Sequence, residues 1–296
     1  MTTIAGKTVV LTGASRGIGL SIARALAKEK ATIVGVSRSK DAMDQLRTEI
    51  TALGGKWIAV NFDISQVEEL SMLVQQINQQ VGVVDILINN AGVEIYRAFQ
   101  DYSTTEIQSV ISTNLLAAME LSRLLLPKML SQKSGHIVNI ASMAAKKGHP
   151  YDSVYAASKA GLLMWSDSVR QELVGTGVEI SVICPGYVSG LGMLADTGVP
   201  APSLAGTSLP EYVAKATIRA IQQNQVEVIV NKDSVTENFT KLLLALWQFF
   251  PRFGDIIYRW IGVVKLNKMR IALKTSESRP IVTAISDEGI RKTSGL

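Results

Sequence analysis

Val9-Val10-Leu11-Thr12-Gly13-Ala14-Ser15-Arg16-Gly17-Ile18-Gly19 is the stretch on which the reading of this chain turns. A short apolar run over residues 7–12 has the length and β-branched content of a buried strand. It passes straight into a glycine-rich turn, and a helical pattern over residues 17–29 begins inside that turn. Glycines here let the backbone turn tightly and approach a pyrophosphate without Cβ clashes. The helix that follows offers unpaired N–H groups and the positive end of its dipole to phosphate oxygens. A glycine triplet alone also marks any tight strand–helix turn. Its place after the opening strand is what points to nucleotide binding.

The same alternation continues outward. Apolar, β-rich runs over 31–37, 57–62, 85–89, 136–141, 178–184 and 226–230 are separated by helical patterns near 40–53, 66–81, 104–130, 153–174 and 210–223. Near-continuous apolar strands describe a sheet covered on both faces. Strand–helix alternation therefore predicts an α/β fold, a doubly wound parallel sheet of about seven strands, Rossmann-like, with right-handed crossovers. No repeat or linker divides the first part of the chain, so one domain is expected over 1–235. Residues 185–210 replace periodicity with Pro, Gly and Ser and read as a long loop, functional or mobile. Residues 236–296 read as an apolar, then basic, helical extension with a disordered end.

Composition narrows the function. Hydrophobic residues at 47% and charged residues at 19% describe a folded chain rather than a disordered one. A single cysteine, Cys184, excludes an intrachain disulfide and a multi-Cys zinc site, and His136 and His149 are too few for a His-rich centre, so no metal is expected. No secretory pattern precedes the strand at Val9, which makes the cytoplasm the expected compartment. Of the 30 basic and 25 acidic side chains, ten basic and four acidic lie in residues 241–296. The body is thus close to neutral, nucleic-acid binding has no electrostatic support, and the positive charge belongs to the tail.

The end of the second predicted strand bears on cofactor choice. An NAD site commonly places an acidic residue there for the ribose 2′-hydroxyl. This chain has Ser37 and Arg38 instead, and Arg16 projects from the glycine turn. Two guanidinium groups and a hydroxyl suit a 2′-phosphate, so NADP(H) is expected over NAD(H), the alternative being that both arginines are solvated surface residues.

Tyr155-Ala156-Ala157-Ser158-Lys159 places a phenol and an ammonium on one face at the start of a predicted helix. A phenol near pKa 10 is a poor acid or base at neutral pH, and a neighbouring cation lowers that value. The pair alone is a common chance spacing. Here Ser142 follows the apolar run Ile137-Val138-Asn139-Ile140, Asn89-Asn90-Ala91-Gly92 ends the fourth predicted strand, and Asn114 falls inside the long helix after it. With the glycine turn, this ordered set strongly resembles the short-chain dehydrogenase/reductase (SDR) family over residues 5–235.

The resemblance implies roles. Tyr155 is the expected general acid in carbonyl reduction and base in alcohol oxidation, Lys159 lowers its pKa and holds the nicotinamide ribose, Ser142 binds the substrate oxygen, and Asn114 positions a relay water. Gly13, Ser15, Arg16, Gly17, Ile18, Gly19, Ser37, Arg38, Asp63, Ile64, Asn90, Ala91 and Gly92 are the expected cofactor residues, with Tyr155, Lys159, Pro185, Gly186 and Val188. Family members commonly place a Thr for the nicotinamide carboxamide where this chain has Gly190, leaving that contact to Ser189 or to backbone groups of 186–190. In isolation Asn114 reads as a buried helix polar residue, Ser142 as a turn serine and Cys184 as a small core residue. His136 and His149 read as structural or exposed. A serine hydrolase built on Ser142 lacks the Gly-x-Ser-x-Gly elbow.

In the tail, Leu242-Leu243-Leu244-Ala245-Leu246-Trp247 and Phe249-Phe250 form an apolar run ending at Pro251, too short for the ~20 residues that span a bilayer. Ile256, Ile257, Trp260, Ile261 and Val264 then recur at helical spacing, with Arg259, Lys265, Lys268, Arg270 and Lys274 supplying positive charge. Either this segment folds over the active site or packs at a subunit interface, or it lies peripherally on a membrane surface through residues 241–274. The expectation is an NADP(H)-dependent carbonyl reductase or alcohol dehydrogenase of a hydrophobic (lipid-, steroid- or retinoid-like) ketone or secondary alcohol. The alternatives are a 3-oxoacyl reductase and, in another class, a non-catalytic NADP(H)-binding or membrane-interaction protein. A homodimer or homotetramer packed through 104–130 and 153–174 is what the resemblance implies.

Overall fold

The structure, a computed structural model, describes residues 2–190, 192–203, 205–231 and 234–277. The end read from sequence as disordered lies mostly outside these. Among the described residues one seven-stranded sheet runs β3-β2-β1-β4-β5-β6-β7, built from β1 (Thr8–Thr12), β2 (Thr32–Ser37), β3 (Lys56–Asn61), β4 (Ile86–Asn89), β5 (Gly135–Ile140), β6 (Val178–Pro185) and β7 (Glu227–Val230). Every neighbouring pair is parallel. Helices α1 (Gly17–Lys28), α2 (Lys40–Ala52), α3 (Leu70–Val81), α4 (Thr104–Ile111), α5 (Ala117–Gln132), α6 (Ser153–Glu172) and α7 (Pro210–Gln223) flank it. This is the doubly wound parallel sheet that the alternation predicts.

Successive strand residues point to opposite faces, and here both faces are core. Leu11, Ile33 and Ile88 cluster with Ile22, Leu26 and Ile221 from α1 and α7, while Val10, Val34 and Leu87 cluster with Leu73 and Leu121 from α3 and α5. Each such side chain contributes about 1.5–3 kcal/mol on burial, which explains why the strands carry almost no polar alternation. Chain order reverses between β1 and β4, so their carboxyl ends open into the crevice where ligands bind in such sheets.

Two sequence expectations are corrected. The helix expected over 104–130 is interrupted by a π-helical turn at Ser112–Leu116, between α4 and α5. Wider turns of this kind are common at functional sites, and this one carries the buried Asn114. The run 104–132 is long and apolar enough to cross a membrane by composition, but Leu121, Leu125 and Met129 pack into the core. The single apolar face expected after Gly254 is likewise broken. Helix α8 (Ser234–Phe249) ends before Pro251, which opens α9 (Pro251–Trp260), and Gly262, at φ +84°, separates α9 from α10 (Val263–Glu277). Of the expected face, Ile256 and Trp260 are exposed, whereas Ile257, Ile261 and Val264 are half-buried.

The tail folds back on the domain. Leu244 of α8 packs with Ala118, Ala141, Cys184 and Ile229. Lys147 forms an ion pair with Asp255 at 2.6 Å, His149 Nε2 lies 3.1 Å from the Tyr258 hydroxyl, and Asn267 Nδ2 donates to the Pro150 carbonyl at 2.7 Å. The segment leading into α6 is therefore tied to both α9 and α10. The long loop after β6 is organised rather than open, because Val188 pairs with Ser208 and a short 3-10 turn forms at Ala195–Thr197.

Candidate active site

The glycine turn works through exclusion of side chains. A Cβ on Gly19 would sit 2.0 Å from the Gly13 carbonyl oxygen, and one on Gly13 would sit 2.8 Å from Ala91 Cα. Only glycine lets α1 start against the end of β1 and lets the β4 end close against it. Asn90 staples these two ends together, donating through Nδ2 to the carbonyls of Thr12 at 2.9 Å and Gly13 at 3.1 Å. Thr12 Oγ1 accepts the Asn90 and Ala91 N–H groups, both at 3.0 Å. Expected as a cofactor residue, Asn90 is thus also the brace of the cradle.

At the far end, Ser37 Oγ donates to Ser15 Oγ at 2.9 Å. Arg38 lies 3.8 Å from Asp63, and Arg16 is ion-paired with Asp196 of the loop after β6. Both guanidiniums border the cradle as expected, each beside a carboxylate. The Arg16 partner carries no sequence signal, since it lies far along an aperiodic loop.

Tyr155, Lys159 and Ser142 converge at the other end. Tyr155 and Lys159 lie on the first turns of α6, buried, with the ammonium 5.8 Å from the ring centroid of the tyrosine. Lys159 Nζ donates to the Ile140 carbonyl at 2.8 Å, and burial lowers it to about 8. Burial also pushes the Tyr155 phenol well above its ordinary value, with the Glu94 carboxyl adding to the rise, while a hydrogen bond with Ser142 draws it down. The lowering by Lys159 that the resemblance implies is not the governing effect in the protein alone; desolvation is. Ser142 Oγ also accepts the Ala144 N–H at 3.1 Å, the turn role read for it in isolation.

Asn114 stands behind this group. Its Oδ1 accepts the Val93 N–H at 2.8 Å and its Nδ2 donates to the Val93 carbonyl at 2.9 Å and to Ser158 Oγ at 3.0 Å. It thereby ties the β4 exit to α6. In the turn after β6, Ser189 Oγ donates to the Ser208 carbonyl at 3.2 Å, which turns that hydroxyl toward the loop's own backbone. Gly190 has φ +88°, a conformation a threonine rarely adopts, which accounts physically for the departure at that position.

One cavity of about 780 Å³ joins these parts. Every expected cofactor residue lines it, as do Ser142, Tyr155 and Lys159, whereas Asn114 does not. Its outer half is walled by Met143, Tyr187 and Met193 and by Leu243, Trp247, Ile257, Tyr258, Trp260, Ile261 and Val263 of the tail. The tail therefore covers the site, the first of the two readings its sequence left open. Sequence reasoning missed Glu94, Asp152 and Asp196 here. It also placed Arg270 among the tail's positive charges, whereas Arg270 is 1% exposed. His149, expected as structural or exposed, lines the cavity, and burial lowers its imidazole to about 4.

The profile of the family described as short chain dehydrogenase matches residues 7–198. The chain belongs to the short-chain dehydrogenase family. It is 60% identical over 270 residues, 91% of this chain and 94% of the relative, to a Nostoc sp. (strain PCC 7120) protein named ketoacyl reductase HetN. It is 34% identical to a 3-oxoacyl-[acyl-carrier-protein] reductase of Synechocystis sp. (strain PCC 6803), covering 64% of this chain and 77% of that one. A metagenomic SDR solved in complex with NADP superposes with a TM-score of 0.67 at 30% identity, covering 77% of this chain and 98% of the other. As an SDR the chain is an oxidoreductase. The α8–α10 extension lies beyond the residues the family profile matches.

Proposed function

We propose that this SDR uses NADPH to reduce a hydrophobic carbonyl, with 3-oxoacyl groups first among its substrates and long-chain ketones or the reverse oxidation of secondary alcohols second. The observation that carries this reading is the single cavity in which the glycine cradle, the Tyr155–Ser142–Lys159 group and an apolar wall from α8–α10 adjoin. The 3-oxoacyl class moves ahead of the general ketone because the Nostoc relative is named a ketoacyl reductase and the Synechocystis relative a 3-oxoacyl-[acyl-carrier-protein] reductase. NADP over NAD is supported by Arg16, Arg38 and Ser37 around the 2′ position, and by the NADP complex of the metagenomic relative.

The residues fit such a cofactor: Gly13 and Gly19 admit no Cβ, and the backbone they expose faces the groove. When bound, NADPH supplies the hydride. Tyr155, held in its protonated form by burial, donates its proton to the substrate oxygen as negative charge develops there. Ser142 donates a hydrogen bond to the same oxygen and stabilises that charge. Lys159 holds the ribose hydroxyls from the floor of the site and returns a proton toward Tyr155. Asn114 keeps the Val93 segment against α6. Gly186 and Val188 line the same cavity, and with the Ser189 hydroxyl turned to the Ser208 carbonyl, backbone groups there would hold the carboxamide.

The test is NADPH oxidation by the full-length protein with 3-oxoacyl thioesters of increasing length. Each buried methylene contributes ~0.8 kcal/mol, so two added carbons are expected to raise kcat/KM roughly tenfold until the cavity fills. Tyr155→Phe is expected to abolish turnover while leaving NADPH binding. Efficiency independent of chain length would remove the hydrophobic substrate. No turnover with any carbonyl despite tight NADPH binding would favour a non-catalytic role.

A second reading concerns the outer side of the tail. Phe249, Phe250, Phe253, Ile256 and Trp260 are exposed at 78%, 63%, 47%, 62% and 76% and form an aromatic stripe across α8 and α9. Arg252 and Arg259 lie on the same helix, α9. Aromatics flanked by cations fit the headgroup boundary of an anionic membrane, from which the adjoining cavity mouth at Trp260 would receive an apolar substrate. Co-sedimentation with anionic but not zwitterionic vesicles, lost in Phe249→Ser/Trp260→Ser, is expected. Retention in the supernatant with both would leave the stripe to another copy of the chain. Assembly as a dimer or tetramer through α5 and α6, where Leu130 and Met164 are exposed, is read out by light scattering.

A further inference from the structure

Arg270 is the largest side chain fully enclosed among the described residues, and it belongs to α10, outside the part of the chain the family profile matches. Its guanidinium carbon lies 5.1 Å from the ring centroid of Tyr96 and 5.9 Å from that of Tyr187. Nη2 donates to the carbonyls of Pro200 at 2.9 Å and Val199 at 3.4 Å, and Nη1 donates to Asn267 Oδ1. Through Asn267 the same cluster reaches Pro150, just before α6. Stacking a planar cation on two phenol rings while it holds carbonyls is work a guanidinium does and an ammonium does poorly.

A buried cation is costly unless negative charge opposes it. A carboxyl pair, Glu94 and Asp152, stands near Arg270 and also acts on the catalytic tyrosine. Asp152 is wholly buried at the residue preceding α6, and its side chain makes no capping hydrogen bond to the helix. Its carboxyl faces that of Glu94, which accepts the Tyr96 hydroxyl at 2.9 Å. Burial raises Asp152 well above the usual carboxylate range, with Glu94 adding to the rise and Arg270 opposing it. Both carboxyls also push Tyr155 upward, Glu94 more strongly.

We propose that Arg270 is a positioning residue for the reaction: reaching in from the C-terminal extension, it sits over Tyr96, whose hydroxyl is held by Glu94, and over Tyr187 of the cavity lining, and balances the Glu94–Asp152 carboxyl pair that acts on Tyr155. The extension thus takes part in the chemistry through charge as well as by covering the site. This rests on the reading of Tyr155 as the proton donor. Other titratable groups face the cluster: Tyr96 and Tyr102 from the segment after β4 and its continuation, His149 ahead of α6, Lys159 on α6, Tyr187 after β6 and Tyr258 on α9. His149 is held neutral by burial, with Arg270 contributing. Burial holds the tyrosines neutral.

The experiment compares full-length Arg270→Gln, Arg270→Lys, Glu94→Gln and the Arg270→Gln/Glu94→Gln pair. It follows kcat against pH in alcohol oxidation, the direction that needs the phenolate, with Tyr155→Phe alongside. Arg270→Gln removes the positive charge that sits over Tyr96, beside Glu94, and is expected to move the rising limb of kcat to higher pH by about one unit, as a lost opposite charge does. Glu94→Gln is expected to move it to lower pH, and the double variant to lie with Glu94→Gln. Arg270→Lys keeps the charge but not the stacked fork, so the limb should stay in place while KM rises several-fold. A fall in kcat with an unmoved limb in Arg270→Gln, or no rescue by Glu94→Gln, would reduce Arg270 to a packing residue and overturn the proposal. If Arg270→Gln does not fold, the positions of the limb in Arg270→Lys and Glu94→Gln decide the matter. Turnover in Tyr155→Phe would instead overturn the assignment of the proton donor.

Discussion

Replacing Lys159 with methionine is expected to stabilise the cofactor-free protein while abolishing its activity. The Lys159 side chain is 3% exposed, and burial lowers its ammonium from 10.5 to about 8. That drop corresponds to ~3 kcal/mol by which the fold disfavours the charged form. Because the folded value lies below the unfolded one, the cost is fully present below pH 8. It is relieved as pH rises from about 8 to 10.5, where the unfolded chain still binds a proton that the folded one has released. Methionine removes the charge at similar length but strands the Ile140 carbonyl, which now accepts the ammonium at 2.8 Å. An unsatisfied buried acceptor costs ~1 kcal/mol or more. The variant should therefore be more stable by ~2 kcal/mol at pH 6.5, with the advantage shrinking to below ~0.5 kcal/mol at pH 9.5. Urea unfolding of both proteins at the two pH values measures this, with NADPH turnover assayed in parallel. A difference that is the same at both pH values, or a variant less stable at pH 6.5, would refute the argument that Lys159 is held against its solvation.

Gly19→Ala would drive a Cβ to 2.0 Å from the Gly13 carbonyl; a loss of roughly 1–3 kcal/mol in unfolding free energy and markedly weaker NADPH binding are expected by calorimetry. Asp196→Asn releases Arg16 from its ion pair, and since exposed pairs contribute ~0.2–1 kcal/mol, NADPH should bind up to about fivefold tighter with NADH unchanged; equal gains for both cofactors would separate Arg16 from the 2′-phosphate. Cys184 is buried, and that burial pushes its thiol up to about 12, so an aromatic disulfide reagent should label it more than ~100-fold more slowly in the folded than in the urea-unfolded protein.

The elements that were legible share a physical basis. Strands β1 to β7 bury both faces and so appear as unbroken apolar runs, and α1 to α7 between them carry regular apolar spacing. The cradle was legible because glycine at 13, 17 and 19 has a backbone reason that acts within a few residues. Tyr155 and Lys159 were legible because four residues on a helix return to one face. The π-turn at Ser112–Leu116 was not, since it depends on Asn114 meeting Val93 and Ser158, partners that only folding brings near. The break of the tail's apolar face at Gly262 was visible as a glycine but not as a boundary, because the left-handed turn is selected by packing on both sides of it.

The sequence by itself determined the parallel α/β fold, the glycine cradle and the order of the residues proposed to handle the proton, because each rests on interactions between near neighbours in the chain or on periodicity. Tertiary structure alone decided what the tail does. Composition made α8–α10 apolar and basic, but only docking separated its inner residues, Leu244, Val263 and Arg270, from its exposed aromatics. Arg270 looks like any surface cation until Tyr96, Tyr187, Val199 and Pro200 enclose it. The same holds for Glu94 and Asp152, distant in sequence and adjacent in space. Burial changes the chemistry of a charged group more than its identity does, and burial is a property of the whole chain.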